Sequence, residues 1–262
     1  MEIGSQFTGQ SMALVLGGSS GLGLASVKKL ASHGIPVLAW FRERRAREET
    51  LLAEFQSQYP TLILPFNGDI TKAEVRNQVW NSCQAAGIQF HVLLHSIARG
   101  SPGTLNPNTH QKPLTALDFN LTYDAMALNW FYVLQELIQN KLPAKNMCNL
   151  AFSSRGGHRV LPGYAAIGMA KSALETLGKY MAVEFAASGI RTNVLEIGIT
   201  DTPALSVLPN SKILLEHAAQ NHPLGRGTQA EDAANVVYLM CQPEARWING
   251  AVIPVDGGES LI

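Results

Sequence analysis

Excess charge of either sign is missing from this chain, whose 20 lysines and arginines balance 20 aspartates and glutamates. Nucleic acids and anionic membrane surfaces recruit proteins through a basic surplus, so neither partner is expected. Cysteine is scarce as well. Cys83, Cys148 and Cys241 are odd in number, far apart and without CxxC or metal-ligand spacing. That argues against a disulfide framework and for reduced thiols, and no metal is expected. No apolar run approaches the ~18 residues of a membrane span. Residues 1–10 show neither the basic nor the apolar region of an export signal, and a cytoplasmic protein is the expectation. Repeats, low-complexity tracts and dividing linkers are absent too.

What remains is a 262-residue chain, 46% hydrophobic, long enough to bury one large core. Short apolar runs at 13–16, 37–41, 62–65, 92–95, 148–153, 191–195 and 252–255 read as strands. Helix-length stretches at 22–33, 44–58, 72–86, 122–140, 164–187 and 231–241 separate them. Continuous Val/Ile/Leu strands divided by helices predict a parallel sheet covered on both faces. The fold class is therefore α/β, a doubly wound, mostly parallel sheet of Rossmann type, as a single domain over 1–262. Two polar, proline-containing segments break the alternation, one near 99–118 and one at 200–224. Both follow predicted strands, where ligands bind in such sheets, and both are read as substrate-covering.

The run Leu16-Gly17-Gly18-Ser19-Ser20-Gly21-Leu22-Gly23 carries the first strand into a helix. Glycines permit a tight turn and close approach of backbone to a pyrophosphate, whose charge then sits at the helix N-terminus. Many strand–helix corners use glycine, but this one stands at the first such corner of a nucleotide-type sheet. After the second strand the chain reads Arg42-Glu43-Arg44-Arg45. Arg42, Arg44 and Arg45 could clamp a 2′-phosphate, which favours NADPH over NADH; a merely solvated basic helix start is the plainer alternative.

In Tyr164-Ala-Ala-Ile-Gly-Met-Ala-Lys171 the phenol and the ammonium are seven residues apart, almost two helical turns, on one face and roughly 10 Å apart along the axis. Such a pair can aim a hydrogen-bond donor at a developing oxyanion, although the spacing also arises by chance.

Together these features resemble the short-chain dehydrogenase/reductase family. The glycine turn matches that family's pattern, with Leu16 where threonine is usual. Asn67-Gly68-Asp69-Ile70-Thr71 looks like its adenine-contacting segment, and Asp256-Gly257-Gly258 like its C-terminal motif. Usual members have Tyr-x-x-x-Lys, but Ile167 stands four residues before Lys171. The wider spacing resembles the enoyl-acyl-carrier-protein reductase branch, as does Leu94-His95-Ser96-Ile97-Ala98. Gly198-Ile199-Thr200-Asp201-Thr202, with Gln220 to Arg226 downstream, is similar to the NADPH-using, short-chain-like subgroup.

The resemblance implies that Gly17, Ser19, Ser20, Gly21, Leu22, Gly23, Asp69, Ile70, His95, Ser96, Ile97, Lys171, Gly198, Thr200 and Thr202 bind the cofactor. It makes Tyr164 and Lys171 catalytic. Ser154, ten residues before Tyr164 and seventeen before Lys171, is a third catalytic candidate or a strand-end hydroxyl. His95 is read as backbone support, and Asp124 falls where a fourth catalytic residue would lie. Moving the phenol three residues toward the N-terminus displaces it by roughly 4.5 Å. An enoyl thioester accepts hydride two atoms farther from its oxygen than a ketone does, so the spacing favours conjugate reduction. The implied partners are an acyl-carrier-protein or coenzyme A thioester and copies of the chain in a homotetramer, with apolar rows in 126–137 and 173–185 at the interface. Reduction of a ketone or another activated alkene, or a non-catalytic dinucleotide-binding role, are the alternatives.

Overall fold

Every residue after Ser11 in β1 (Ser11–Leu16) and every residue of β2 (Val37–Phe41) is buried. Strands this apolar on both faces need cover on both faces. The computed structural model describes residues 3–109, 112–208 and 211–262. Within them, β3 (Ile63–Asn67), β4 (Gln89–His95), β5 (Pro143–Ser154), β6 (Ile190–Ile197) and β7 (Val252–Val255) complete one sheet of order β3-β2-β1-β4-β5-β6-β7. All pairings are parallel. Val15 lies opposite Ala39 on one side and Leu94 on the other. The strand order reverses between β1 and β4, which opens a crevice at their carboxyl ends.

Helices α1 (Gly21–Ser32), α2 (Arg45–Gln58) and α9 (Ala230–Cys241) cover one face with Val27, Leu30, Phe55 and Val237. The other face takes α3 (Ala73–Ala85), α5 (Asn129–Gln139) and α6 (Ala165–Glu184), through Trp80, Trp130, Val133 and Leu174. A bidentate pair ties α3 to α5: Arg76 Nε and Nη2 donate to Glu136 at 2.8 and 2.7 Å, and Trp80 Nε1 donates to the same carboxylate at 2.8 Å.

The expected helix 122–140 is three pieces. The first is α4 (Ala116–Tyr123), opened by a capping box in which Thr115 and Asp118 bond reciprocally. A π-helical turn follows (Asp124–Leu128), closed by the Asn129 N–H donating to Asp124 O, and then α5. One extra residue in a helix widens a turn in this way, commonly beside a functional site. Strand β5 is also longer than 148–153. The segment 200–224 is not plain loop: it holds α7 (Pro203–Ser206), capped by Thr202, and α8 (Ser211–Asn221). His110, Gln111, Pro209 and Asn210, which fall in the two expected covering segments, lie outside the described residues.

The row expected at an interface on 126–137 faces inward, since Met126, Val133, Leu134 and Leu137 are core. Exposed apolar side chains stand instead at Leu117 and Leu121 on α4, and at Met169, Tyr180 and Val183 on α6. Among the described residues no helix is long and apolar enough to cross a membrane.

Candidate active site

The carboxyl end of β1 runs into a turn that only glycine can make. Gly17 has φ +87°, and a Cβ there would stand 2.4 Å from the Ser96 carbonyl; a Cβ on Gly23 would be 2.1 Å from the Gly17 carbonyl. Turn, helix start and the end of β4 are thus in backbone contact. The Trp40 carbonyl accepts from both Gly17 and Gly18 N–H. Ser20 is the N-cap of α1, yet its side chain caps nothing. The first-turn N–H groups are therefore open to an anion beside Ser19, Ser20, Gly21 and Leu22. Thr202 reaches across from the β6 side, its Cγ2 3.1 Å from where a Gly21 Cβ would lie.

Basic residues at the end of β2 divide unexpectedly. Arg42 donates to Asp69 Oδ2 at 2.8 Å. Arg44 is the N-cap of α2, and Arg45, almost fully exposed, turns to Glu49. The guanidinium at the glycine turn belongs to Arg47, which donates to Ser19 O at 3.1 Å, while Glu43 accepts from Ser19 Oγ at 2.8 Å. The motif singled out 42, 44 and 45; the helical start at Arg45 puts Arg47, two residues into α2, toward the turn instead. Asp69 is likewise engaged. Burial pushes its carboxyl up, but bonds from the Thr71 side chain and backbone, with Arg42, hold it below its ordinary range. The Ile70 carbonyl accepts from Arg76 Nη1 at 2.8 Å.

Past the turn lies a cavity of about 430 Å³ whose wall includes Leu22, Ser96, Ile97, Gly198, Thr200 and Thr202, together with Ser154, Tyr164 and Lys171. Tyr164 is not inside the helix, as its spacing to Lys171 predicted. It precedes α6 at φ −109°, ψ 6°, and its carbonyl accepts the first intrahelical bond from Gly168 N at 2.7 Å. The 10 Å axial separation therefore does not carry over unchanged. Gly156 backs the phenol ring, since a Cβ there would lie 2.2 Å from Tyr164 Cε1; the Gly-Gly after Ser154 was the available signal. Tyr164 Oη and Ser154 Oγ are 3.3 Å apart. Burial raises the phenol's pKa, and the Ser154 bond partly opposes this.

Lys171 is buried on α6 and donates to Phe152 O at 2.7 Å. Burial lowers its ammonium to about 8 against the pull of Glu175. His95, at the end of β4, is 1% exposed, and neither ring nitrogen has a hydrogen-bond partner. Burial first and Lys171 second lower it to about 3, so its ring is neutral. Asp124 opens the π turn.

Below Lys171 is a group that the sequence did not disclose. Glu175 accepts from Ser153 Oγ at 2.5 Å and lies 2.6 Å from His158 Nε2, which is also 3.4 Å from Glu196. The apolar part of the cavity is closed by Met126, Ile167, Leu205, Leu208 and Ile262, the last from the C-terminus. The segment after β4 folds over the tyrosine, with Gly103 N donating to Gly163 O at 2.9 Å and Ser101 N to Thr122 Oγ1 at 3.0 Å.

Residues 17–260 match the family model described as Enoyl-(Acyl carrier protein) reductase. A tropinone reductase homolog of Arabidopsis thaliana is 30% identical over 252 residues, 94% of this chain and 92% of the relative. The Escherichia coli K12 enoyl-[acyl-carrier-protein] reductase [NADH] FabI is 27% identical over 173 residues, 66% of this chain and 65% of that one. The crystal structure of the Aquifex aeolicus enoyl-[acyl-carrier-protein] reductase (NADH) shares the fold, with a TM-score of 0.83 at 22% identity over 98% of both chains.

Proposed function

The chain belongs to the short-chain dehydrogenase/reductase family, in the group described as enoyl-(acyl carrier protein) reductase, and from that premise we propose that it reduces the C=C bond of an enoyl thioester with NADPH. The observation that carries the reading is the placement of Tyr164 at the mouth of α6, seven residues ahead of buried Lys171 rather than four, with its side chain lining a largely apolar cavity.

The glycine turn, the open N-terminus of α1 and Thr202 fit a dinucleotide's pyrophosphate. Arg47 and Arg42 supply guanidinium charge for a 2′-phosphate. When bound, the nicotinamide cofactor supplies the hydride. Lys171 keeps two ammonium N–H groups beyond the one given to Phe152 O, and these hold ribose hydroxyls. As the thioester oxygen gains enolate charge, the Tyr164 hydroxyl donates to it, in a cavity dry enough to strengthen that bond. Ser154 orients the phenol. The apolar wall from Met126 to Ile262 takes the acyl chain, whose carrier is an acyl-carrier protein or coenzyme A. The exposed apolar faces of α4 and α6, which pack beside each other, serve assembly with further copies as a homotetramer.

A second reading, reduction of a ketone, is favoured by the extended match to the tropinone reductase homolog and by Ser154 beside the phenol. Incubation with NADPH and crotonyl-CoA, and separately with an acetoacetyl thioester, decides between them through loss of NADPH absorbance. Oxidation by crotonyl-CoA alone is expected. Oxidation by the keto thioester alone refutes conjugate reduction, and oxidation by neither refutes both.

A further inference from the structure

An arginine keeps its charge inside a protein, and burying that charge is costly unless an anion faces it. Arg191, on β6, is 8% exposed, and among the described residues it forms no ion pair. Its Nη2 donates to the Met240 carbonyl near the end of α9, but Nε and Nη1 are buried without a hydrogen-bond partner. Capping the last turn of α9 accounts for Nη2 and leaves the other two nitrogens unexplained. The group that stands opposite Arg191 is a thiol. We propose that Cys148 and Cys241 form a reversible redox site, in which Cys148 reacts as a thiolate paired with Arg191 and closes a disulfide with Cys241 when a hydroperoxide reaches it. The site lies on the α9 face of the sheet, opposite the face that α6 and Lys171 cover.

The register of the sheet brings the groups together. Cys148 on β5 pairs directly with Arg191 on β6, so their side chains leave the sheet on the same face. Cys148 Sγ donates to Met240 O at 3.3 Å, the same oxygen that takes Arg191 Nη2. One carbonyl thus holds the sulfur and the guanidinium side by side. Cys241 follows Met240 at the end of α9. Its Sγ reaches Val237 O at 3.1 Å, and its thiol also bonds to that of Cys148. That bond lowers the Cys148 thiol below its ordinary 9.0; burial opposes this, and Arg191 adds to the lowering. The same bond drives Cys241 well above 9.0. The pair therefore loses its first proton from Cys148, and Arg191 is the charged group that acts on both sulfurs. A thiolate beside a guanidinium is the reactive form of cysteine. Cys148 is 2% exposed and Cys241 half-buried, so a small peroxide enters beside Cys241. Cys83 is the internal contrast, because burial pushes its thiol up to about 12.

The hydroperoxide is the oxidant, and the steps balance. The Cys148 thiolate attacks one peroxide oxygen; an S–O bond forms, the O–O bond breaks, and the departing hydroxide takes up the proton that Cys148 had released. The products are a Cys148 sulfenic acid and water. The Cys241 sulfur then attacks the Cys148 sulfur. The S–S bond forms, the S–O bond breaks, and hydroxide leaves with the Cys241 proton as a second water. Two thiols have lost two electrons and two protons to the peroxide, and a dithiol reductant returns them. The bridge staples β5, whose far end carries Phe152 and Ser154, to α9, which packs on α1, the helix that opens at the glycine turn.

The experiment treats the wild type with hydrogen peroxide near neutral pH, then unfolds it, alkylates the remaining thiols and reads peptide masses. A cross-linked Cys148–Cys241 peptide is expected, with Cys83 alkylated and with both thiols recovered after dithiothreitol. Cys241→Ser should stop at the sulfenic acid, captured by dimedone on Cys148. Cys148→Ser should leave Cys241 unoxidised at the same dose. A rise of one unit in a thiol's pKa costs about tenfold in thiolate, so Arg191→Met in the Cys241→Ser background should slow dimedone labelling by about that factor. In Cys83→Ser, ultraviolet absorbance should show one thiolate forming below pH 9.0, and that signal should vanish when Cys148→Ser is added. Recovery of all three thiols after peroxide, oxidation that favours Cys83, or oxidation of Cys241 undiminished in Cys148→Ser overturns the redox site. Undiminished labelling in Arg191→Met overturns the pairing with Arg191. Should that variant not fold, the titration decides: no thiolate below pH 9.0 overturns the pairing.

Discussion

The Ser154 and Tyr164 hydroxyls meet at 3.3 Å, although nine residues, including the turn carrying Gly156, lie between them. One hydroxyl ends a strand and the other precedes a helix, so the contact depends on the loop that joins them.

Tyr164→Phe removes the donor but little of the volume. Loss of one oxyanion donor typically costs roughly 2.7–4 kcal/mol, on the order of 100- to 1000-fold in turnover. That fall is expected in stopped-flow reduction, with NADPH binding by fluorescence titration unchanged. Lys171→Ala should weaken both. Identical behaviour of the two variants would show that the roles are not divided as proposed.

Lys171 gives a pH dependence with a definite sign. Burial lowers its ammonium to about 8 from an ordinary 10.5. The charge proposed to hold ribose is therefore lost as pH rises through about 8, and the NADPH dissociation constant should climb there. Lys171→Arg, always charged, should remove this alkaline limb. In stability the sign is opposite: the cost of burying the charge is full below about 8 and is relieved between there and 10.5.

Cofactor preference separates two arginines of one helix. Arg47 stands at Ser19 while Arg45 pairs with Glu49 in solvent. Loss of a charge-assisted bond to phosphate is worth about tenfold or more. Arg47→Ala should raise KM for NADPH by that factor and leave NADH nearly untouched, and Arg45→Ala should change neither. Equal KM values for the two cofactors in the unaltered protein would contradict an NADPH preference.

His95 should reveal itself in acid. Its folded value of about 3 lies below the ordinary 6.5, so the unfolded chain binds the proton first. Stability present above 6.5 is lost as pH falls toward 3. Urea midpoints should drop between pH 7 and about pH 4.5 in the wild type, and drop less in His95→Leu. Parallel curves would place the acid sensitivity elsewhere.

Much of this was legible in advance. Strands buried on both faces leave continuous apolar runs, which is why β1, β2 and β7 fell close to their expected limits. The glycine turn announced itself because positive φ and backbone contact restrict residue choice at Gly17. Composition could not show the π turn at Asp124, since one extra residue changes hydrogen bonding without changing the apolar pattern. Nor could it choose among Arg42, Arg44, Arg45 and Arg47, because which side chain faces the turn depends on where α2 begins. The Ser153–Glu175–His158–Glu196 group joins three elements far apart in sequence, so no local spacing marked it.

The wide turn at Asp124–Leu128 also fixes a phase. The Asn129-to-Asp124 bond spans five residues, so α4 is rotated relative to α5 by one more residue than a regular helix allows, about 100°. Excising a single residue here would let the helix close normally and screw α4 around its axis. Thr122 would carry Ser101 with it, and the strap that joins Gly103 to Gly163 would swing off the phenol. Insertions and deletions elsewhere on the surface trim loops; at this point one codon works as a thread pitch, turning the cover of the cavity open or shut.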